Sequence, residues 1–162
     1  MSKIVTEKKA AQISKLLRKQ GKKIVLIGGC FDILHIGHIR LLKEAKKQGD
    51  FLFVLLENDD NIKDIKGRHR PINSQPERAE ILASMEKLDY IILSEKKKNN
   101  QKYDKLVVDL APHVIATTSG DKNMHHKKRQ ASLINAKVIE VIKQLRKKST
   151  SRIANLIAKE TL

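Results

Sequence analysis

Residues 24–38 read IVLIGGCFDILHIGH, and this stretch predicts the fold of the chain. A short run of aliphatic and β-branched residues is followed by two glycines and then by an amphipathic helix that begins near His38. A strand, a glycine-rich loop and a helix in this order bind phosphate groups in α/β proteins, because the first backbone N–H groups of a helix have no partner within it. The stretch therefore predicts a parallel α/β domain with an anion-binding loop.

Two histidines mark the start of this helix. His35 and His38 are three residues apart, so both imidazoles can lie on one side of the first turn, and Gly37 lets a phosphate approach the backbone closely. The same spacing is also typical of surface or packing positions, and a zinc site would need a third ligand, for which only Cys30 and Asp32 lie nearby. The combination favours phosphate binding, and we assign no residue of the chain to a metal.

Length and composition indicate the class of protein. The 162 residues suffice for one α/β domain, so we expect residues 1–162 to form a single domain. No run approaches the roughly 20 apolar residues of a membrane span. The first residues, MSKIVTE, lack the apolar core of a secretory signal, and the single cysteine fits a reducing compartment. We therefore expect a cytoplasmic protein.

The chain is strongly basic. It has 34 Lys and Arg against 18 Asp and Glu, a formal net charge of +16. Such a field attracts polyanions but does not choose between nucleotides, nucleic acids and anionic membrane surfaces. Aromatic residues make up only 3% of the chain, so the stacking platforms that bind single-stranded nucleic acid are scarce. Most of the charge is interpreted as solvated surface around a nucleotide site, and nucleic acid is not expected as a partner.

The remaining segments alternate between helix and strand, as a βα protein requires. An N-terminal helix is predicted over residues 4–20, within the segment 1–22, and the α/β core over 24–158. Residues 58–74 are polar and basic, which predicts a mobile loop. Predicted strands span residues 24–27, 51–56, 90–93, 114–117 and 138–142, and predicted helices span 39–47, 76–87, about 102–110 and the segment after 150. The fold class is therefore a Rossmann-like domain with about five parallel strands and helices on both faces.

The motif FDILHIGH at residues 31–38 resembles the signature of the cytidylyltransferase-like nucleotidyltransferases, which join a nucleoside triphosphate to a phosphorylated small molecule and release pyrophosphate. The tetrapeptide HIGH also marks class I aminoacyl-tRNA synthetases, but a synthetase would need room for an anticodon-binding domain. Nearly the whole chain is similar to the nucleotidyltransferase domain of ADP-heptose synthases. The segments that carry this similarity are 21–25, 49–50, 66–73, 75–82, 88–90, 109–114 and 149–153.

Two segments depart from that resemblance. ADP-heptose synthases carry Lys-Gly-Gly-Asp where residues 117–121 read TTSGD, which keeps Gly-Asp and loses the lysine. Residues 122–129 are basic, whereas the corresponding segment of the family is mixed in charge. Glycerol-3-phosphate cytidylyltransferases and archaeal FAD synthetases share the first half of the pattern. The sequence therefore leaves open which phosphorylated acceptor and which nucleotide base the protein uses.

The resemblance implies an in-line attack by the acceptor's phosphate oxygen on the α-phosphorus of ATP, or alternatively of CTP, with Mg²⁺ arriving on the triphosphate. Positioning and charge neutralisation supply such catalysis, and we assign them to His35, His38 and Lys66. The predicted nucleotide-binding residues are Gly29, Cys30, Phe31, Ile36, Gly37, Lys63, Arg78, Asp121, Ser149 and Thr150.

Specific roles follow for several of these residues. Arg78 is expected to offer a guanidinium fork to a phosphate. Ser149 and Thr150, at a helix start, are expected to donate N–H and hydroxyl groups to the γ-phosphate. Asp121 is expected to accept from ribose or base, whereas Asp32 is expected to orient the loop.

The predicted function is transfer of an adenylyl group to a phosphorylated small molecule such as a heptose 1-phosphate. One alternative is a cytidylyltransferase for glycerol 3-phosphate or a similar polyol phosphate. Another is a homologue that binds nucleotide or nucleic acid without turnover. A homodimer stays open, because no residue pattern marks an interface.

Overall fold

The computed structural model describes residues 2–96, 99–143 and 150–160, the last four of these in their backbone only. These residues form one sheet of six strands, in the order β1-β4-β3-β2-β5-β6, and every neighbouring pair is parallel. The strands are β1 (Ile4–Thr6), β2 (Ile24–Gly29), β3 (Phe51–Leu56), β4 (Tyr90–Leu93), β5 (Val114–Thr118) and β6 (Lys137–Ile142).

Helices cover both faces of this sheet, and residues along each central strand alternate between the two hydrophobic cores, as the twofold period of a strand requires. Val25 and Ile27 belong to one core, whereas Ile24 and Leu26 belong to the other. The helices are α1 (Glu7–Lys19), α2 (Ile36–Lys46), α3 (Asp59–Lys66), α4 (Gln75–Ala83), α5 (Asn100–Leu110), α6 (Met124–Leu133) and α7 (Thr150–Glu160). Helices α2 and α4 contribute to the first core, and α1, α5 and α6 to the second. The predicted α/β fold is confirmed.

Strand order determines where a ligand can enter. The chain runs outward from β2 through β3 to β4, and then returns to the other side of β2 with β5 and β6. In such sheets the crevice outside the carboxyl ends of the strands, at the point where the order reverses, is the usual ligand site. Strand β2 pairs with β3 from Ile24 to Gly29 but with β5 only at Val25 and Leu26. Its last residues are therefore free of β5 pairing, and a crevice opens there.

Two predictions about elements were wrong, and one helix, α6, was not predicted. The predicted helix over 4–20 is a short strand, β1, followed by α1, so the sheet has six strands rather than five. The predicted loop over 58–74 contains α3, whose N-cap Asn58 accepts the N–H of Asp60 at 2.9 Å. Acidic residues in its first turn and lysines in its last turn favour this helix through the helix dipole. Helix α6 begins in the basic segment 122–129, for which the sequence predicts no element.

Within the part of the chain that the structure describes, no helix has both the length and the apolar composition needed to cross a bilayer.

Candidate functional site

A cleft of about 230 Å³ opens between the carboxyl ends of β2 and β5, at the reversal of strand order. One wall is the loop between β2 and α2, and the opposite wall is the end of β5 with the start of α6. Predicted site residues in its lining are Gly29, Cys30, Phe31, His35, Gly37, His38 and Asp121. A wider groove of about 760 Å³ lies between α1 and α5, but it contains none of the predicted site residues.

The two histidines begin α2 in a reciprocal arrangement. His35 is the N-cap, and its Nδ1 accepts the N–H of Gly37 at 3.1 Å, while Nδ1 of His38 accepts the N–H of His35 at 3.3 Å. Because each Nδ1 is an acceptor, each neutral ring carries its proton on Nε2. The ring centroids are 4.0 Å apart, so two N–H donors stand side by side in the cleft wall.

The charge state of His38 follows from its surroundings. Burial, together with the nearby His35 and Lys66, lowers the pKa of His38 to about 4. The ring is therefore neutral at physiological pH and offers a hydrogen bond without a positive charge. Any cation that neutralises phosphate in this cleft must come from another residue.

Phe31 gives the loop its shape. Its φ of 47° lies in the left-handed region, which a bulky residue rarely adopts, and its side chain is buried against the core. The ring lies 5.2 Å from that of His38, and a Cβ placed on Gly29 would come within 2.8 Å of the Phe31 ring. Only glycine fits at position 29, so the backbone passes close to the buried ring.

Asp32 connects this loop to residues 70–73. Its buried carboxylate accepts from Nε of Arg70 at 2.8 Å and from the backbone N–H groups of Ile72 and Asn73 at 2.9 Å. Burial opposes ionisation, but the hydrogen bonds from Asn73, Ile72 and Arg70 outweigh it and lower the pKa of Asp32. Asp32 therefore orients the loop, as predicted.

Arg78 does not face the cleft, which corrects the prediction that it binds phosphate. Its side chain is fully buried, and its nitrogens donate to the carbonyls of Asn73 at 3.0 Å, Cys30 at 2.5 Å and Glu57 at 2.8 Å. A further bond of 2.5 Å reaches Oδ1 of Asp59. The guanidinium thus ties three loops together and is not open to a ligand.

Lys66 and Lys63 belong to α3 rather than to a loop, and they differ in their contacts. The Lys66 ammonium acts electrostatically on the Cys30 thiol and on the His38 ring, both of which line the cleft, but Lys66 is not itself among the lining residues. Burial nevertheless raises the pKa of the Cys30 thiol, which stays protonated. Lys63 pairs with Asp60 at 3.7 Å on the exposed side of the helix and does not line the cleft.

Lys127 lines the opposite wall and was not predicted. Its ammonium lies 2.8 Å from Oγ1 of Thr117 and forms an ion pair with Asp121. Asp121 also accepts from Thr117 Oγ1 at 2.5 Å and from the N–H of Asn123 at 2.7 Å. Partial burial opposes its ionisation, but the bonds from Lys127 and Thr117 lower the pKa of Asp121. The carboxylate is therefore charged. Its oxygens are engaged within the protein, which does not favour the predicted contact to ribose or base.

Three predicted residues remain, and the structure describes two of them. Thr150 is buried, and its hydroxyl donates to the carbonyl of Ile33 at 2.9 Å. This bond brings the start of α7 to the signature loop but uses the hydroxyl predicted for the γ-phosphate. Ile36 is 46% exposed and opens α2. Ser149 lies outside the described residues.

Known proteins are similar to this chain in sequence. Residues 26–155 match the cytidylyltransferase-like family. Bifunctional protein HldE of Aliarcobacter butzleri is 42% identical over 114 residues, which cover 70% of this chain and 23% of that protein. The protein of the same name from Wolinella succinogenes is 34% identical over 154 residues, or 95% of this chain and 31% of the relative. The chain therefore spans a quarter to a third of the length of these curated relatives.

A solved structure agrees with the fold. The lipopolysaccharide core biosynthesis protein from Thermoplasma volcanium superimposes with a TM-score of 0.64 and 28% identity, covering 76% of this chain and 99% of that one.

Proposed function

The chain belongs to the cytidylyltransferase-like family, and from this premise we propose that it transfers the adenylyl group of ATP to a sugar phosphate of the heptose 1-phosphate class. The observation that carries the proposal is the pair of imidazoles at the start of α2, each with Nδ1 occupied by a backbone N–H and each lining the cleft where strand order reverses. The relatives named HldE and the resemblance to ADP-heptose synthases favour this substrate class.

In the proposed reaction, an oxygen of the acceptor's phosphate forms a bond to the α-phosphorus of ATP. The bond between the α-phosphorus and the bridging oxygen breaks, and pyrophosphate leaves with the electron pair. The attacking oxygen is already anionic, so no side chain has to remove a proton. A neutral imidazole is therefore sufficient, because its role is to donate a hydrogen bond to charge that develops on the phosphates.

In this proposal Lys66 supplies positive charge to the cleft, because its ammonium acts electrostatically on Cys30 and His38 in the lining. We assign it the neutralisation of the leaving group. Mg²⁺ bound to the triphosphate would neutralise further charge. The described side chains form no group of three or more carboxylate, histidine or cysteine ligands, so we assign them no role in holding the ion.

A thermal shift experiment tests nucleotide binding. ATP, CTP and GTP are compared side by side at equal concentration. A ligand at about 100 times its Kd stabilises the native state by about 2.7 kcal/mol, which raises the Tm of a domain of this size by roughly 5–10 °C. We expect the largest shift with ATP. A larger shift with CTP would favour the cytidylyltransferase alternative, and no shift with any nucleotide would refute the proposal.

Turnover is tested by pyrophosphate release in the presence of ATP and a panel of sugar 1-phosphates and polyol phosphates. We expect His38→Ala to lower kcat by roughly 10²–10³-fold, the usual effect of removing one donor to a developing oxyanion. His125→Ala is the matched control, because His125 is exposed and does not line the cleft. Equal rates for the two variants would contradict the assignment, whereas nucleotide binding without pyrophosphate release by the wild type would indicate a non-catalytic homologue.

Cytoplasmic location and homodimer formation stay predictions.

A further inference from the structure

The wall of the cleft opposite the histidines carries a lysine whose position the proposed function does not yet use. The side chain of Lys127 is only 16% exposed, and its ammonium lies beside Thr117 and Asp121. The neighbouring Lys128 and Arg129 of the same helix are exposed. Helix α6 therefore directs one cation of a basic run into the cleft and the next two toward solvent.

The chemistry of the cleft favours a further cation. The His38 ring is neutral, so it contributes hydrogen bonds without charge. A triphosphate and a phosphorylated acceptor together bring several negative charges into a partly enclosed space, where charge is poorly screened. Lys66, at the end of α3, acts electrostatically on His38 in one wall, and Lys127 of α6 lines the opposite wall. Lys127 is thus the lysine that lines the wall opposite the histidines.

Lys127 has the donor capacity to bind an anion without leaving its partners. An ammonium group has three N–H donors. In the part of the chain that the structure describes, two of these N–H groups donate to Oγ1 of Thr117 and Oδ2 of Asp121. Asp121 is itself held by Thr117 and by the N–H of Asn123, so the ion pair fixes the ammonium in place. One N–H remains for a ligand in the cleft.

We infer that Lys127 is a second phosphate-binding cation of this site, with Asp121 as its positioning residue. The inference rests on the proposed function. Its ligand is a phosphate oxygen, which belongs either to the nucleotide or to the acceptor.

Calorimetric titration tests this inference on the full chain with two probes. The first probe is ATP. The second is inorganic phosphate, added to protein saturated with a non-hydrolysable ATP analogue, and it stands in for the acceptor's phosphate. We expect K127Q to weaken binding of one probe at least tenfold, and the affected probe identifies the source of the phosphate. The matched control K128Q, one residue further along α6, is expected to stay within twofold of the wild type.

A second variant separates ligand binding from a structural role. K127Q and D121N both remove the ion pair, but D121N keeps the ammonium. If Lys127 binds phosphate, D121N will bind the affected probe at least tenfold more tightly than K127Q does. Equal weakening in both variants, or no difference between K127Q and K128Q with either probe, would overturn the inference. Failure of the wild type to bind ATP would instead refute the proposed function.

Discussion

Replacing Arg78 with methionine tests whether this arginine is structural, as its burial indicates, or a phosphate ligand, as the sequence predicts. The substitution removes the donors to the carbonyls of Cys30, Glu57 and Asn73 and breaks the pair with Asp59. Each buried acceptor left without a partner costs about 1–3 kcal/mol, and breaking a buried ion pair costs about 3–5 kcal/mol. These costs overlap because one side chain is removed, and the Asp59 side chain is 29% exposed and regains water. We therefore expect a loss of about 4 kcal/mol in the free energy of unfolding.

Urea denaturation measures this loss. With a denaturant slope of about 2 kcal/mol per molar urea, the midpoint should fall by about 2 M. Arg40→Met is the matched control, because Arg40 is exposed on α2 and the same substitution there should change the stability by less than about 0.5 kcal/mol. If Arg78→Met lowers the free energy of unfolding by less than about 1 kcal/mol and the folded variant binds ATP more weakly, the structural role is refuted. That result would support the prediction from sequence that Arg78 binds phosphate.

Three further predictions concern neighbouring residues. The pKa of native His38 is about 4 and that of an unfolded histidine is about 6.5. Between these two pH values the unfolded chain binds a proton at this histidine and the native protein does not, so the free energy of unfolding should fall by up to about 3 kcal/mol as the pH drops from 6.5 to 4. Urea melts at both pH values should show a smaller fall for His38→Asn than for the wild type. An equal fall in both proteins would contradict the assignment. Lys66→Ala should lower kcat more than it raises the Kd for ATP, as judged by steady-state kinetics and calorimetry; an equal change in both would make Lys66 a binding residue. Asp32→Asn should lower the free energy of unfolding, measured in urea melts, by about 3–5 kcal/mol because it breaks the buried ion pair with Arg70. A decrease of less than about 1 kcal/mol would show that the ion pair is dispensable.

The errors of sequence interpretation have physical causes. Strand β1 spans only Ile4–Thr6 and runs directly into α1, so the apolar period of the helix obscures it. Helix α3 is polar on most of its surface, and its N-cap Asn58 with acidic residues in the first turn was the available signal. Lys127 lies within a basic run, where residue type does not distinguish the lysine that α6 turns into the cleft from its exposed neighbours.

The amino-acid sequence by itself determined the local chemistry of the signature. A buried strand, two glycines and a His-x-x-His pair form one contiguous unit, and the bonds that begin α2 are local, such as that from the His35 N–H to Nδ1 of His38. Only the tertiary structure decided which cations face the cleft. Arg78 is bound to Cys30, 48 residues away, and Thr150 to Ile33, 117 residues away, so the direction of each side chain depends on contacts between segments that pair only in the folded sheet. Charge and residue type are properties of the chain, whereas burial and partners arise from packing.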